Sequence, residues 1–383
     1  MLSWEFPPAV TGGLGKHVYE LSKHLVTSGH KVIVVTLNTL GAPSFEEVEG
    51  IRVQRIKDVN PTYKDFHLYI AMVNMNMVET VRNLSKTYNF DIIHAHDWQV
   101  GLAARALKSY LNIPLVTTIH ALELGRSNLE TILQKRTYMY ECQLIQNSNS
   151  IIVCSSYMKT VIEESYHSNT DIHVIPNGIT HHSLKSNSME EFLKQYDYSH
   201  LILFLGRMVP EKGVETLLHA AEEIISLYPS SLFILAGKGP MLEVYKNIVK
   251  NKDLEESILF IGFLNENEKA TALYHCDILV VPSLYEPFGI VALEGMAAKK
   301  TVIAAKTGGL TSIISDEKNG LLFEPSDAVD LAEKLKHLLN HPVLCRKLGE
   351  NAKQEVREKY KWEDVREHTE ALYTEIVTTS SIK

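Results

Sequence analysis

The sequence holds little that would mark a secreted, membrane-spanning or nucleic-acid-binding protein. Its four cysteines, Cys142, Cys154, Cys276 and Cys345, fall at no C-x-x-C spacing. Neither a disulfide framework nor a cysteine-based zinc site reads from them, and reduced thiols in a reducing compartment are expected. No stretch reaches the ~18 apolar residues of a membrane span. The opening Met1-Leu2-Ser3-Trp4-Glu5 has neither a charged leader nor an apolar run, so a cytoplasmic protein is expected. Basic charge is in deficit: 38 Lys and Arg stand against 46 Asp and Glu, a net −8. That excludes nucleic-acid binding through a strongly basic surface, though not a local basic patch for an anionic small molecule. Internal repeats, low-complexity tracts and D-x-D triplets are also absent.

What is present is a chain of 383 residues, 45% hydrophobic and 22% charged, enough for two domains with cores of their own. Short β-branched runs alternate with longer helical patterns, the rhythm of a parallel α/β sheet. In the first half strands are expected at 32–36, 51–56, 92–95, 115–119, 151–154 and 173–175. In the second half they fall at 201–205, 232–236, 258–261, 278–281, 302–305 and 321–323. Two successive doubly wound domains follow, 1–185 and 186–358, with the boundary in the polar stretch 180–200. A helix near 360–376, with Trp362, Val365 and Leu372 as apolar points, is expected to return to the first domain as part of 359–383. The first strand is short of apolar residues, since only Met1 and Leu2 precede Ser3-Trp4.

Open parallel sheets bind ligands at the carboxyl ends of their strands, and the chemistry-bearing residues cluster there. Gly12 and Gly13 precede a helix, where backbone amides can approach an anion; a purely structural turn is an equal reading. Gly206-Arg207 and Lys212-Gly213 follow the strand at 201–205. An arginine fork and a lysine point charge suit a diphosphate. Gly237-Lys238-Gly239-Pro240 repeats the arrangement one strand on. Glu286-Pro287-Phe288-Gly289-Ile290 leads into a helix that carries Glu294. Glu286 is placed to accept from sugar hydroxyls and Glu294 from a ribose, with the helix-start amides of Gly289 and Ile290 offered to phosphate. His94 and His96 alternate on one strand face, but no third ligand is evident, so no metal site is expected. His120, at the tip of the next strand, is the better active-site residue. Asp97 and Trp98 offer a carboxylate and a ring to a sugar.

In this order the segments resemble the retaining glycosyltransferases of family 4, with two facing Rossmann-like domains, the GT-B fold. Pro176-Asn177-Gly178 belongs to the same pattern. The wording Trp4-Glu5-Phe6-Pro7-Pro8, Thr11-Gly12-Gly13-Leu14-Gly15, His94-Ala95-His96-Asp97-Trp98 and Thr118-Ile119-His120-Ala121 is similar to the glycogen and starch synthase branch. The resemblance implies catalytic roles for His120, Arg207, Lys212 and Glu286. It implies donor binding by Gly12, Gly13, Asn177, Gly206, Gly237, Gly239, Phe288, Gly289, Ile290 and Glu294, and an acceptor-side pair in Asp97 and Trp98. It implies transfer of a hexose, glucose first, from a UDP- or ADP-linked donor to a hydroxyl acceptor such as an α-glucan, with retention and without metal or other cofactor. Val10 stands where the bacterial ADP-glucose enzymes carry lysine, which weakens the case for ADP-glucose. The alternatives are a transferase for a cell-surface polysaccharide or glycolipid, a nucleotide-sugar epimerase, and a non-catalytic sugar-binding scaffold. Peripheral membrane contact is the lesser reading, because Lys108, Arg126, Lys135 and Arg136 are mixed with Glu123, Glu130 and Glu141 as on a solvated face.

Overall fold

The structure, a computed structural model, describes all residues except 10, 11, 39, 40, 58, 60–64, 181–185, 382 and 383. The chain divides into two units: Met1–Gly178 with Trp362–Lys383, and Ile179–Lys361. The divisions thus fall at Gly178/Ile179 and Lys361/Trp362, displaced from 185/186 and 358/359. The polar stretch read as a linker contains a helix, Asn187–Leu193, whose short polar sequence hides it. Ser186 caps it by accepting from the Met189 amide at 3.4 Å.

The first unit is built on eight strands: β1 (Leu2–Ser3), β2 (Ile33–Thr36), β3 (Phe45–Val48), β4 (Ile51–Arg55), β5 (Ile93–His96), β6 (Leu115–Ile119), β7 (Ser150–Val153) and β8 (Asp171–Val174). Their order is β3-β4-β2-β1-β5-β6-β7-β8. Strands β5, β6 and β7 are buried along their whole length because a parallel sheet is covered on both faces. β3 was not expected; it is an exposed antiparallel edge paired with β4 from Val48↔Ile51. Its connection is Glu49-Gly50, at φ 49° and 79°, the two-residue turn with both φ positive that matches hairpin twist. β1 spans only two residues yet sits in the middle of the sheet, with Leu2 opposite both Val35 and Ala95.

The second unit has six parallel strands: β9 (His200–Leu205), β10 (Ser231–Ala236), β11 (Ile258–Gly262), β12 (Ile278–Val281), β13 (Thr301–Ala305) and β14 (Leu321–Phe323). The order β11-β10-β9-β12-β13-β14 is that of a doubly wound sheet with its switch point between β9 and β12. Among the described residues no helix is long and apolar enough to cross a membrane.

The last helix, Trp362–Ser381, belongs to the first unit and packs on helix Gly13–Thr27. Trp362, Val365 and Leu372 are buried in the first unit's core. Trp362 lies against Gly178, where a Cβ would come within 2.6 Å of the indole. At the rim Glu370 accepts from His30 at 2.9 Å and from Arg366 at 2.7 Å. Truncating Trp362 to alanine is expected to cost about 3–5 kcal/mol, the range for removing a buried aromatic. Urea unfolding checks it; a loss under about 1 kcal/mol would mean the indole is not part of that core.

Candidate functional site

In the second unit the switch point gathers the expected charges. β9 and β12 are registered only at Ile202↔Ile278 and Leu203↔Leu279, and loops leave both strands beyond those pairs. Lys212, at the end of the short helix Pro210–Lys212, reaches Glu286 Oε2 at 2.6 Å. Ser283 Oγ donates to the same oxygen at 3.2 Å. Glu286, placed by its sequence to accept from sugar hydroxyls, is already paired here. Arg207 stays more exposed and pairs with Glu211 at 3.1 Å. The backbone draws the two loops together: the Leu284 amide donates to Glu211 O at 2.9 Å. Gly213 has φ 63°, and a Cβ there would fall 1.9 Å from Pro282 O; only glycine allows that approach. Gly206, Gly237 and Gly239 meet in the neighbouring loops, where the Met208 amide donates to Lys238 O at 2.9 Å.

Phe288 is buried, and Gly289 opens helix Ile290–Ala297 with no side-chain cap among the described residues, so its first amides are not taken by a capping side chain. Glu294 lies inside this helix and is nearly buried. Its partner was missed from the sequence: Lys269, on helix Glu266–His275, donates to Glu294 Oε1 at 2.7 Å and to Glu266 Oε1 at 3.0 Å. Burial works to lower the Lys269 pKa, but Glu294 and Glu266 overcome it and hold the ammonium above its ordinary value. Beside the pair is a cavity of about 70 Å³ touched by Thr180, Lys269, Leu273 and Glu294. A larger groove, about 490 Å³, lies by edge strand β11 against Phe192, Tyr196 and Phe260 and includes none of the expected site residues.

In the first unit the switch point lies between β1 and β5. Gly12 precedes helix Gly13–Thr27, and among the described residues no side chain caps it; Val10 and Thr11 are outside the described residues. The loop before it is fixed by Arg55, which was not foreseen. Its buried guanidinium donates to Pro7 O at 2.8 Å and Pro43 O at 2.9 Å and pairs with Glu46 at 2.6 Å. Asp97 follows β5 at φ 62°, ψ 171°, a region that side-chain-bearing residues seldom adopt and that concentrates at functional sites. Its carboxylate is buried and accepts from the His120 amide at 2.6 Å. Burial pushes that carboxyl up to about 7, against the lowering effect of the amides of His120 and Ala121.

His120 is half-buried within a cluster of rings. His96 Nδ1 and His120 Nε2 are 3.2 Å apart, and His17 stands edge-on to His120 with centroids at 4.7 Å. Asn177 lies here, its Oδ1 2.7 Å from His17 Nδ1. Burial lowers the pKa of His17 to about 4 and holds His94, His96 and His120 well below the ordinary value. Trp98 is the centre of an aromatic group: it lies parallel to Tyr140 at 5.9 Å and edge-on to Phe66 at 6.2 Å. Phe66 and Tyr69 in turn flank Trp4 at 6.3 and 6.0 Å. Rings dispersed along the sequence give no motif; the pairing needs the fold.

With this geometry in place, the comparisons with known proteins agree on one family. The model for group 1 glycosyl transferases matches residues 187–355, and that for glycosyltransferase family 4 matches residues 11–182. The chain is 31% identical to an uncharacterized glycosyltransferase of Methanocaldococcus jannaschii over 97% of each chain. It is 30% identical to a glycogen synthase of Mycobacterium tuberculosis, over 97% of this chain and 93% of the relative. Among solved structures, sucrose-phosphate synthase from Thermosynechococcus elongatus matches with a TM-score of 0.87 at 25% identity, covering 99% of this chain and 98% of that one. The chain belongs to glycosyltransferase family 4, with the GT-B fold and glycogen-synthase-like character. Nucleotide-sugar use goes with that membership.

Glu141, expected on a solvated face, is instead buried on the inner side of helix Ile132–Asn147. It accepts from Tyr166 Oη at 2.6 Å and the Glu123 amide at 2.9 Å. Burial raises its pKa from 4.5 to about 8, with those hydrogen bonds opposing. The folded state thus holds a proton that the unfolded chain releases above 4.5. The associated stability is complete below that pH and is lost as pH rises through about 8. Wild-type stability is expected to fall across this window. Glu141→Gln should fall less steeply, the remaining slope including that of Asp97. Thermal melts at about pH 5 and about pH 8 check this, and equal slopes would refute the assignment.

Proposed function

We propose that the protein transfers a hexose, glucose first, from a nucleotide-sugar to a hydroxyl of a glycan acceptor, with retention at the anomeric carbon and without a metal. The observation that supports this reading is the Lys212–Glu286 ion pair joining the loops that follow β9 and β12 at the switch point, with the pairs Arg207–Glu211 and Lys269–Glu294 in the same unit. Two cations and the uncapped amides of Gly289 and Ile290 match a diphosphate. Glu294, held by Lys269, is oriented to accept from a ribose diol. Lys212 leaves Glu286 for the diphosphate, and Glu286 then accepts from a sugar hydroxyl. As the bond between the anomeric carbon and the phosphate oxygen breaks, the acceptor oxygen bonds on the same face and its proton passes to the departing phosphate. Arg207 and Lys212 stabilise the charge that grows on the leaving group.

In the first unit His120 serves the reacting sugar, with Asp97 as a positioning residue through the His120 amide. The rings around Trp98 support a glycan acceptor, because aromatic faces match the apolar faces of sugar rings. UDP- and ADP-linked donors both fit this chemistry, and a cytoplasmic setting is part of the proposal.

Lys212→Ala and Glu286→Ala should each lower kcat about 10²-fold, the scale for one preorganised electrostatic contact. Near-normal turnover in either variant would sink the assignment; melts confirm that the variants are folded. Activity that survives excess chelator supports transfer without metal. A melting screen against UDP-, ADP- and GDP-glucose should single out the donor. A ligand at 100 times its Kd adds about 2.7 kcal/mol of stability, and silence from all three would favour a non-catalytic scaffold.

A further inference from the structure

We propose that His17, His96 and His120 form a binding site for a divalent transition-metal ion of the zinc class. One ring nitrogen from each lies within 4.8 Å of the others. Tetrahedral zinc, with Zn–N of about 2.0–2.1 Å, sets its ligands about 3.3 Å apart. The His96 Nδ1 to His120 Nε2 distance of 3.2 Å already meets that spacing, and His17 needs only a small side-chain shift.

The bonding of the rings selects these three. His94 packs on His96 with centroids 4.2 Å apart, yet both of its nitrogens are engaged, one with Thr118 Oγ1 at 2.7 Å and the other with Tyr373 Oη. By contrast, among the described residues His17 Nε2 is buried without a hydrogen-bond partner. Buried polar atoms are nearly always paired, so this orphan beside the His96–His120 nitrogen pair calls for a partner from outside the chain. His17 is also prepared as a ligand. Its Nδ1–H donates to Asn177 Oδ1 at 2.7 Å, which leaves the lone pair on Nε2, the arrangement by which an outer partner fixes a metal-binding imidazole. Three imidazoles leave a fourth coordination position for water or an added ligand. Imidazole donors without thiolate or carboxylate suit zinc, copper or nickel rather than magnesium or calcium.

An ion held here occupies the imidazole assigned above to the reacting sugar, so bound zinc inhibits transfer and a chelator restores it. This consequence rests on the transferase reading; the binding site does not.

Titration of the metal-free protein with Co2+ should develop the visible bands of a four-coordinate ion at one equivalent, displaced by Zn2+. His17→Gln and His96→Gln should each weaken binding by more than 10-fold, and Asn177→Ala by about 10–100-fold. His337→Ala with His341→Ala, which removes a close histidine pair elsewhere in the chain (centroids 4.7 Å), should leave binding unchanged. Because buried substitutions can disturb folding, wild-type crystals soaked in Zn2+ give an independent reading: an anomalous peak among the three rings. Absent Co2+ bands, binding untouched by the cluster variants, or a peak only elsewhere overturns the site. Zinc that binds among the rings while turnover is unaffected overturns the inhibition alone.

Discussion

Reversal of strand order is the constraint on which the second unit's chemistry depends. β9 stays registered with β10 as far as Leu205↔Ala236, and β12 with β13 as far as Val281↔Ala304. Between β9 and β12 the register stops at Leu203↔Leu279, and the loops beyond it meet through the Leu284 amide and Glu211 O instead. The strand ends are thereby opened in one place. Lys212 and Glu286 come from the two sides of that opening and close it with an ion pair. The first unit repeats the device with less chain: Leu2↔Ala95 and Ser3↔His96 join β1 to β5, so loops carrying Gly12 and Asp97 leave adjacent strands.

Pairing also determines what the glutamates can do. An ionised carboxylate in a salt bridge accepts hydrogen bonds and has no proton to give. Glu286 and Glu294 each face a lysine, so they suit the orientation of hydroxyls better than acid–base exchange. Lone charges at this depth would be costly, and a lysine at each glutamate offsets that cost until polar ligand groups take over. Gly213 and Gly308 let this happen at close range: their missing side chains make room for Pro282 O and Glu286 O.

Much of this was legible because it is local in sequence. β-branched runs marked the strands, and Glu286-Pro287-Phe288-Gly289 with Glu294 marked a strand-to-helix junction within one short segment. The unforeseen parts are those that folding brings from a distance. Lys269 reads as half of an i, i+3 surface pair with Glu266, and nothing near it announces Glu294. Arg55 reads as a strand residue until Pro7 and Pro43 turn their carbonyls on it. Glu141 reads as exposed because its helix is polar, but Tyr166 and the Glu123 amide lie on its inner face. The edge strand β3 sets Glu46 and Glu47 side by side between Phe45 and Val48, too polar for the pattern of a parallel core; its Glu49-Gly50 turn was the usable signal.

The candidate sites in the two units handle polar burial in opposite ways. In the second, lysines and glutamates are satisfied by one another, and a ligand must displace a partner that is already in place. In the first, the rings of His17 and Trp362 keep nitrogens without a partner among the described residues, so an ion there adds a bond at His17 and displaces only the His96–His120 hydrogen bond. Displacement makes occupancy sensitive to how well the incoming group replaces the departing one, a basis for selecting among donors. Addition asks only for a group of the right size and chemistry. A site that must discriminate and a pocket that accepts a bare ion are therefore built from the same kinds of side chain, distinguished by whether the chain has already satisfied them.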